Sequence, residues 1–142
     1  MQIIFGIIAE LISFLLCLFP TTAVSDVREN LNINIKPYQI EFHKDTHGGF
    51  HGDGEEIIIF RPTAEQIEKI EAEWQKTPIG SEIAPFLFCE EEYNGIDLRE
   101  YILNTDGWWF YKNRSSDTLG YSHNFSFAFF DGERVYYYEL DT

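Results

Sequence analysis

The strongest pattern in the chain is its first apolar run. Residues 3–19 (IIFGIIAELISFLLCLF) are apolar all round with one charge, Glu10, and Pro20 closes the run. As a helix it would span about 26 Å, and extension to Met1 and Val24 brings it to the thickness of a hydrocarbon core, about 30 Å. Three readings fit: a retained membrane anchor, a signal segment cleaved near Ala23 or Ser25, or a hydrophobic helix packed on the domain. Glu10 suits the third, and no Lys or Arg precedes the run to suit the second. The anchor leads. Residues 26–32 (DVRENLN) follow as a polar linker.

Beyond the linker the periodicity changes to that of strands. Ile33 and Ile35 alternate with polar residues, Pro37 interrupts, and Tyr38, Ile40 and Phe42 alternate on the other parity. This predicts a strand with a bulge or an edge position at the proline. Glu55 to Phe60 (EEIIIF) predicts a second strand with apolar residues on both faces. The stretch 63–76 predicts a helix, with Thr63 and Gln66 as a capping box and Ile67, Ile70 and Trp74 as its buried stripe. A short helix is expected after Gly95, a strand at 108–112 (WWFYK), and a closing hairpin turning at Asp131-Gly132. A two-residue turn there pairs Phe130 with Glu133, placing Phe125, Phe127 and Phe129 with Tyr136 and Tyr138 on one face, the expected core, and leaving Tyr137 exposed.

The pattern therefore predicts an α+β fold. An antiparallel sheet of about five strands would carry one amphipathic helix on a face, behind an N-terminal hydrophobic helix. The organisation expected is 1–25 as anchor or signal, 26–32 as linker and 33–142 as a single domain.

Charge narrows the partners. Ten Lys and Arg face twenty-four Asp and Glu, a net charge of −14. Such a surface repels phosphate backbones, which excludes nucleic acid. A basic protein, a cation or simple solubility fits, and the partner expected is a protein or small ligand, with the membrane engaged through residues 3–19. Cys17 lies within the apolar run and Cys89 follows Phe86-Leu87-Phe88, so no disulfide framework exists and a buried, inert Cys89 is the default.

Candidate chemistry is concentrated at residues 43–54, which hold three of the four histidines and four of the ten glycines. His43, Asp45, His47, His51 and Asp53 are the candidate metal ligands, because imidazole and carboxylate together suit a divalent ion. Thr46, Gly48, Gly49, Phe50, Gly52 and Gly54 complete a binding loop. The histidines recur at every fourth position, but the glycines disfavour the helix that would bring them together. The loop must converge its ligands by its own fold, or with His123 or an acidic residue such as Glu55. Without a metal, it is a shaped hairpin connection in which the glycines supply turns and the aspartates cap them. No spacing in the chain argues for a catalytic arrangement.

The stretch Asp45-Thr46-His47-Gly48-Gly49-Phe50-His51-Gly52-Asp53-Gly54 resembles one in an uncharacterised family of small bacterial proteins, membrane-anchored or lipoprotein-like. Phe125-Ser126-Phe127 and the closing Tyr137-Tyr138-Glu139-Leu140-Asp141-Thr142 are similar to that family as well. The resemblance implies a shared fold and a bacterial origin, and brings no activity or ligand set. Cys17 lacks the small residues expected before a lipid-bearing cysteine.

The function expected from these features is a non-enzymatic, membrane-associated binding or accessory domain, extracytoplasmic or secreted after cleavage. A metal-binding protein using the 43–54 loop and a small acidic inhibitor or immunity-type protein are the other two readings.

Overall fold

The computed structural model describes residues 7–8, 22–48, 52–115 and 124–142. Its frame is a six-stranded antiparallel sheet. The strands are β1 (Ile40–Asp45), β2 (Gly54–Phe60), β3 (Gln75–Lys76), β6 (Trp108–Asn113), β7 (Phe125–Phe130) and β8 (Val135–Asp141), in spatial order β1-β2-β8-β7-β6-β3. A separate ribbon pairs β4 (Glu92–Tyr93) with β5 (Ile96–Asp97). The helices are α1 (Thr22–Leu31), α2 (Ala64–Glu73) and α3 (Leu98–Leu103).

This corrects the expected architecture. The main sheet has six strands rather than about five, a second small sheet exists, and more than one helix packs on it. The N-terminal hydrophobic helix is not found among the described residues, none of whose helices is long and apolar enough to cross a membrane. Most of the stretch expected as that helix lies outside them. Residues 22–31, which take in most of the expected linker, are an amphipathic helix instead. α1 buries Ala23, Val24, Val27 and Leu31, one stripe spaced at helical intervals.

Both faces of the sheet are covered, which explains the unbroken Ile57-Ile58-Ile59 run. Ile58, Phe60, Ala128, Phe130, Val135 and Tyr137 pack under α1 and under Ile70 and Trp74 at the end of α2. On the opposite face, Ile57, Ile59, Phe127, Phe129 and Tyr138 meet Leu87, Phe88 and the α3 residues Leu98 and Ile102. Tyr137 is therefore fully buried rather than exposed. Full burial of each large apolar side chain contributes about 1.5–3 kcal/mol, so both layers matter to stability.

Three local expectations meet a different outcome. The capping box of α2 is present, with Thr63 accepting from the Gln66 amide, but the helix ends at Glu73. Gln75 and Lys76 turn into a strand against Trp109 and Trp108. The closing hairpin is longer than a two-residue turn. Asp131 Oδ1 accepts the amides of Glu133 and Arg134, and Phe130 pairs with Val135. The register moves by two, so the faces of β7 and β8 keep their predicted partners by parity. Cys89 is exposed, since it sits on the turn after Phe88 while Leu87 and Phe88 take the core positions.

Candidate functional site

Polar residues interrupt the α1-covered face at one end of the sheet. Register places Asp45 of β1 beside Glu56 of β2, Glu56 beside Glu139 of β8, and Glu139 beside Ser126 of β7. Side chains two residues apart on a strand share a face, so His43 and Asp141 join the same patch. Asp26 descends on it from α1, and Arg114 reaches it from just beyond β6.

Glu56 is the centre. Its side chain is 1% exposed, and Oε2 lies 2.9 Å from His43 Nε2. Oε1 is fully buried and receives no hydrogen bond. Asp26 and Glu139 offer carboxylate oxygens that lie, with one from Glu56, within 4.8 Å of one another. Burial raises the Glu56 carboxyl to about 9, and a side-chain hydrogen bond with Asp26 and the charges of Asp26, Glu139 and Asp45 push the same way, so the protonated carboxyl is shared with Asp26. Glu139 is also raised by burial, against the opposing pull of the Tyr137 hydroxyl and Arg114. Tyr137 donates to Glu139 and receives a hydrogen bond from Asn30 of α1 at 2.9 Å. Burial raises that phenol strongly.

His47 sits at the edge of the patch and is held from both sides. Nδ1 lies 2.6 Å from Asp45 Oδ1, and Nε2 lies 2.7 Å from Asp141 Oδ2. Carboxylates only accept, so both ring nitrogens must donate, which makes the ring an imidazolium. Burial pulls the His47 pKa down, but the hydrogen bonds and charges of Asp45 and Asp141 outweigh it and raise it. Asp45 shows the converse: burial pushes it up, and the His47 amide and ring carry it below its usual value. Arg114 closes the network, 2.9 Å from Asp141 Oδ1 and 3.2 Å from Glu139 Oε1.

Of the predicted loop ligands, His43 and Asp45 come together with Glu56, whereas His47 groups with Glu139 and Asp141. Asp53 faces solvent, and His51, Gly49 and Phe50 lie outside the described residues, as does His123. The remaining loop residues act through the backbone. The Thr46 amide bonds to Glu55 O at 2.8 Å and Gly48 to Asp53 O at 3.3 Å, while Gly52 takes φ 68°. Gly54 allows the return strand to pass His47, since a Cβ there would lie 2.6 Å from His47 Cα. Glu55 points to the other face, where Tyr138 donates to it.

Asp26, Glu56, Glu139, Asp141 and Arg114 escaped the sequence reading. The available signal was a glutamate on the parity of buried positions, Glu56 with Ile58 and Glu139 with Tyr137. A second cleft, between Tyr93, Ile96, Tyr101 and Tyr136, surrounds Asp131. That carboxylate already accepts from two backbone amides and two tyrosine hydroxyls, so it is a structural cap.

The patch thus gathers five carboxylates, Asp26, Asp45, Glu56, Glu139 and Asp141, around one guanidinium, one imidazolium and the ring of His43. Such a group can hold a proton or a cation. No protein-family model, curated protein or solved structure matches the chain.

Proposed function

We propose that this chain is a non-enzymatic binding or accessory domain that takes a cationic ligand at the Glu56 patch. One observation carries the reading. Glu56 Oε1 is buried beside two further carboxylates and receives no hydrogen bond, and burying the ionised group uncompensated is costly. A cation removes the cost, and with Glu56 ionised the surrounding charges favour one. The non-enzymatic part rests on the sequence, in which no residue spacing forms a catalytic motif. The apolar run 3–19 supports placing the domain at a membrane.

The test is thermal unfolding of the chelator-treated full chain with a panel of small cations, each against a control of equal ionic strength. At least one cation raises Tm in the native protein and not in Glu56→Gln. Equal behaviour of the two proteins with every cation refutes the reading. Fractionation of the full chain, with and without residues 1–24, tests the membrane part, which fails if the full chain stays in the soluble fraction.

A further inference from the structure

We infer that the ligand is a single divalent transition-metal ion, held by Asp26, His43, Glu56 and Glu139. This rests on the preceding reading of the patch as a cation site and names the cation and its ligands.

Size comes first. The oxygens offered by Asp26, Glu56 and Glu139 lie within 4.8 Å of one another. Metal–oxygen bonds of about 2.0–2.4 Å keep the ligands of one ion within about 4.0–4.8 Å of one another, so the three oxygens can share one ion. An alkylammonium is bulkier and would have to reach an oxygen with no accessible surface. The buried Glu56 Oε1, which receives no hydrogen bond, is what separates this group from an ordinary surface cluster of acids. Its other oxygen already faces a nitrogen ligand, His43 Nε2, at 2.9 Å. Glu56 belongs both to the group with His43 and Asp45 and to the group with Asp26 and Glu139. Two ligands at about 2.1 Å and a right angle are about 3.0 Å apart, so His43 and Glu56 can meet one ion, and the shared Glu56 carries it to Asp26 and Glu139.

Donor chemistry sets the class. One imidazole with three carboxylates suits Mn²⁺, Fe²⁺ or Zn²⁺ better than Ca²⁺, which favours an all-oxygen shell. Charge calls for a cation. With every carboxylate ionised, the patch falls three positive charges short of balance, given Arg114 and the His47 imidazolium. One divalent ion leaves one negative charge and two leave one positive, so the number is set at one by Glu56, whose single buried carboxylate the proposed ligands share. His47 is outside the shell, because Asp45 and Asp141 occupy its nitrogens. Its part, with Arg114 and the Tyr137 hydroxyl, is to orient the carboxylates around the ion.

Asp26 gives the site a further property. It is carried by α1, while His43, Glu56 and Glu139 are carried by three strands of the sheet. A bound ion therefore ties the helix to the sheet.

The experiment titrates the tag-free, chelator-stripped full chain with Mn²⁺, followed by calorimetry and by the Mn²⁺ electron paramagnetic resonance signal. Ca²⁺ and putrescine titrations run in parallel. The expected result is one Mn²⁺ per chain, loss of binding in Glu56→Gln, and weakening by about 10-fold or more in Asp26→Asn and His43→Gln. Glu91→Gln, on the opposite face, binds as the native protein does. Should Glu56→Gln fail to fold by circular dichroism, the Asp26 and His43 variants decide. Binding of only Ca²⁺ or putrescine, abolished by the same substitutions, overturns the metal inference and leaves the cation-site reading standing. Binding of no cation, or binding indifferent to all three substitutions, overturns both.

Discussion

Replacing His47 with alanine removes a charged ring that links the 46–53 connection to the end of β8. Two contacts are lost, to Asp45 and to Asp141, while the backbone bond from the residue 47 amide to Asp45 is kept. The Asp45 contact is exposed and contributes about 0.5 kcal/mol, in the range of surface ion pairs. The Asp141 contact joins side chains 23% and 22% exposed. A charge-assisted hydrogen bond in that setting contributes about 1.5 kcal/mol. Relief of the cost of burying the ring offsets part of the sum, so the net loss is about 1–2 kcal/mol, or about 3–6 °C in Tm. The pH dependence is the sharper signature. The folded pKa of His47 lies above its ordinary value, so the stabilisation is complete below about pH 6.5 and is lost as pH rises through the folded pKa. Urea unfolding of both proteins from about pH 5.5 to about pH 9.5 should show a gap that is widest in acid and narrows in alkali. A gap that is constant with pH, or that widens in alkali, would refute the imidazolium assignment.

Two further substitutions probe the frame around the patch. Gly54→Ala drives a Cβ to 2.6 Å from the His47 backbone and should cost about 1–3 kcal/mol in urea unfolding. The His47 ring resonances in the NMR spectrum should shift with it, and an unshifted ring would mean that the loop yields freely. Tyr137→Phe removes the hydroxyl shared by Glu139 and Asn30, with an expected loss of about 1–2 kcal/mol. A neutral or stabilising result would show that water replaces the phenol at no cost.

What could be read from the sequence was local. Thr63 and Gln66 mark a helix start because both halves of the capping box lie within one turn. The faces of β7 and β8 followed from alternation alone, and survived a register shift of two because parity did. The end of α2 was not legible, since Gln75 and Lys76 are strand only by virtue of Trp108 and Trp109 more than thirty residues away. α1 was hidden because the apolar run drew its first residues into one segment and the polar residues 26–32 into another, dividing a single amphipathic stripe. The site was half legible for the same reason. His43, Asp45 and His47 announce themselves as neighbours in the chain. Asp26, Glu56, Glu139 and Asp141 join them only through the pairing of β1, β2 and β8 and the docking of α1. Composition therefore led to the end of the sheet where the carboxylates gather and to only part of that group.

The position of β8 has a consequence for the order of assembly. β1 and β2 form one hairpin, and β6 and β7 form another, and the two are joined in the sheet through β8 alone. Each hairpin has an open edge, and neither can close on the other until residues 135–141 are in place. The same seven residues bring Glu139 and Asp141. A chain truncated before residue 135 would leave Ile57–Phe60 and Phe125–Phe130 along unpaired edges, so loss of β8 turns both hairpins into templates for aggregation.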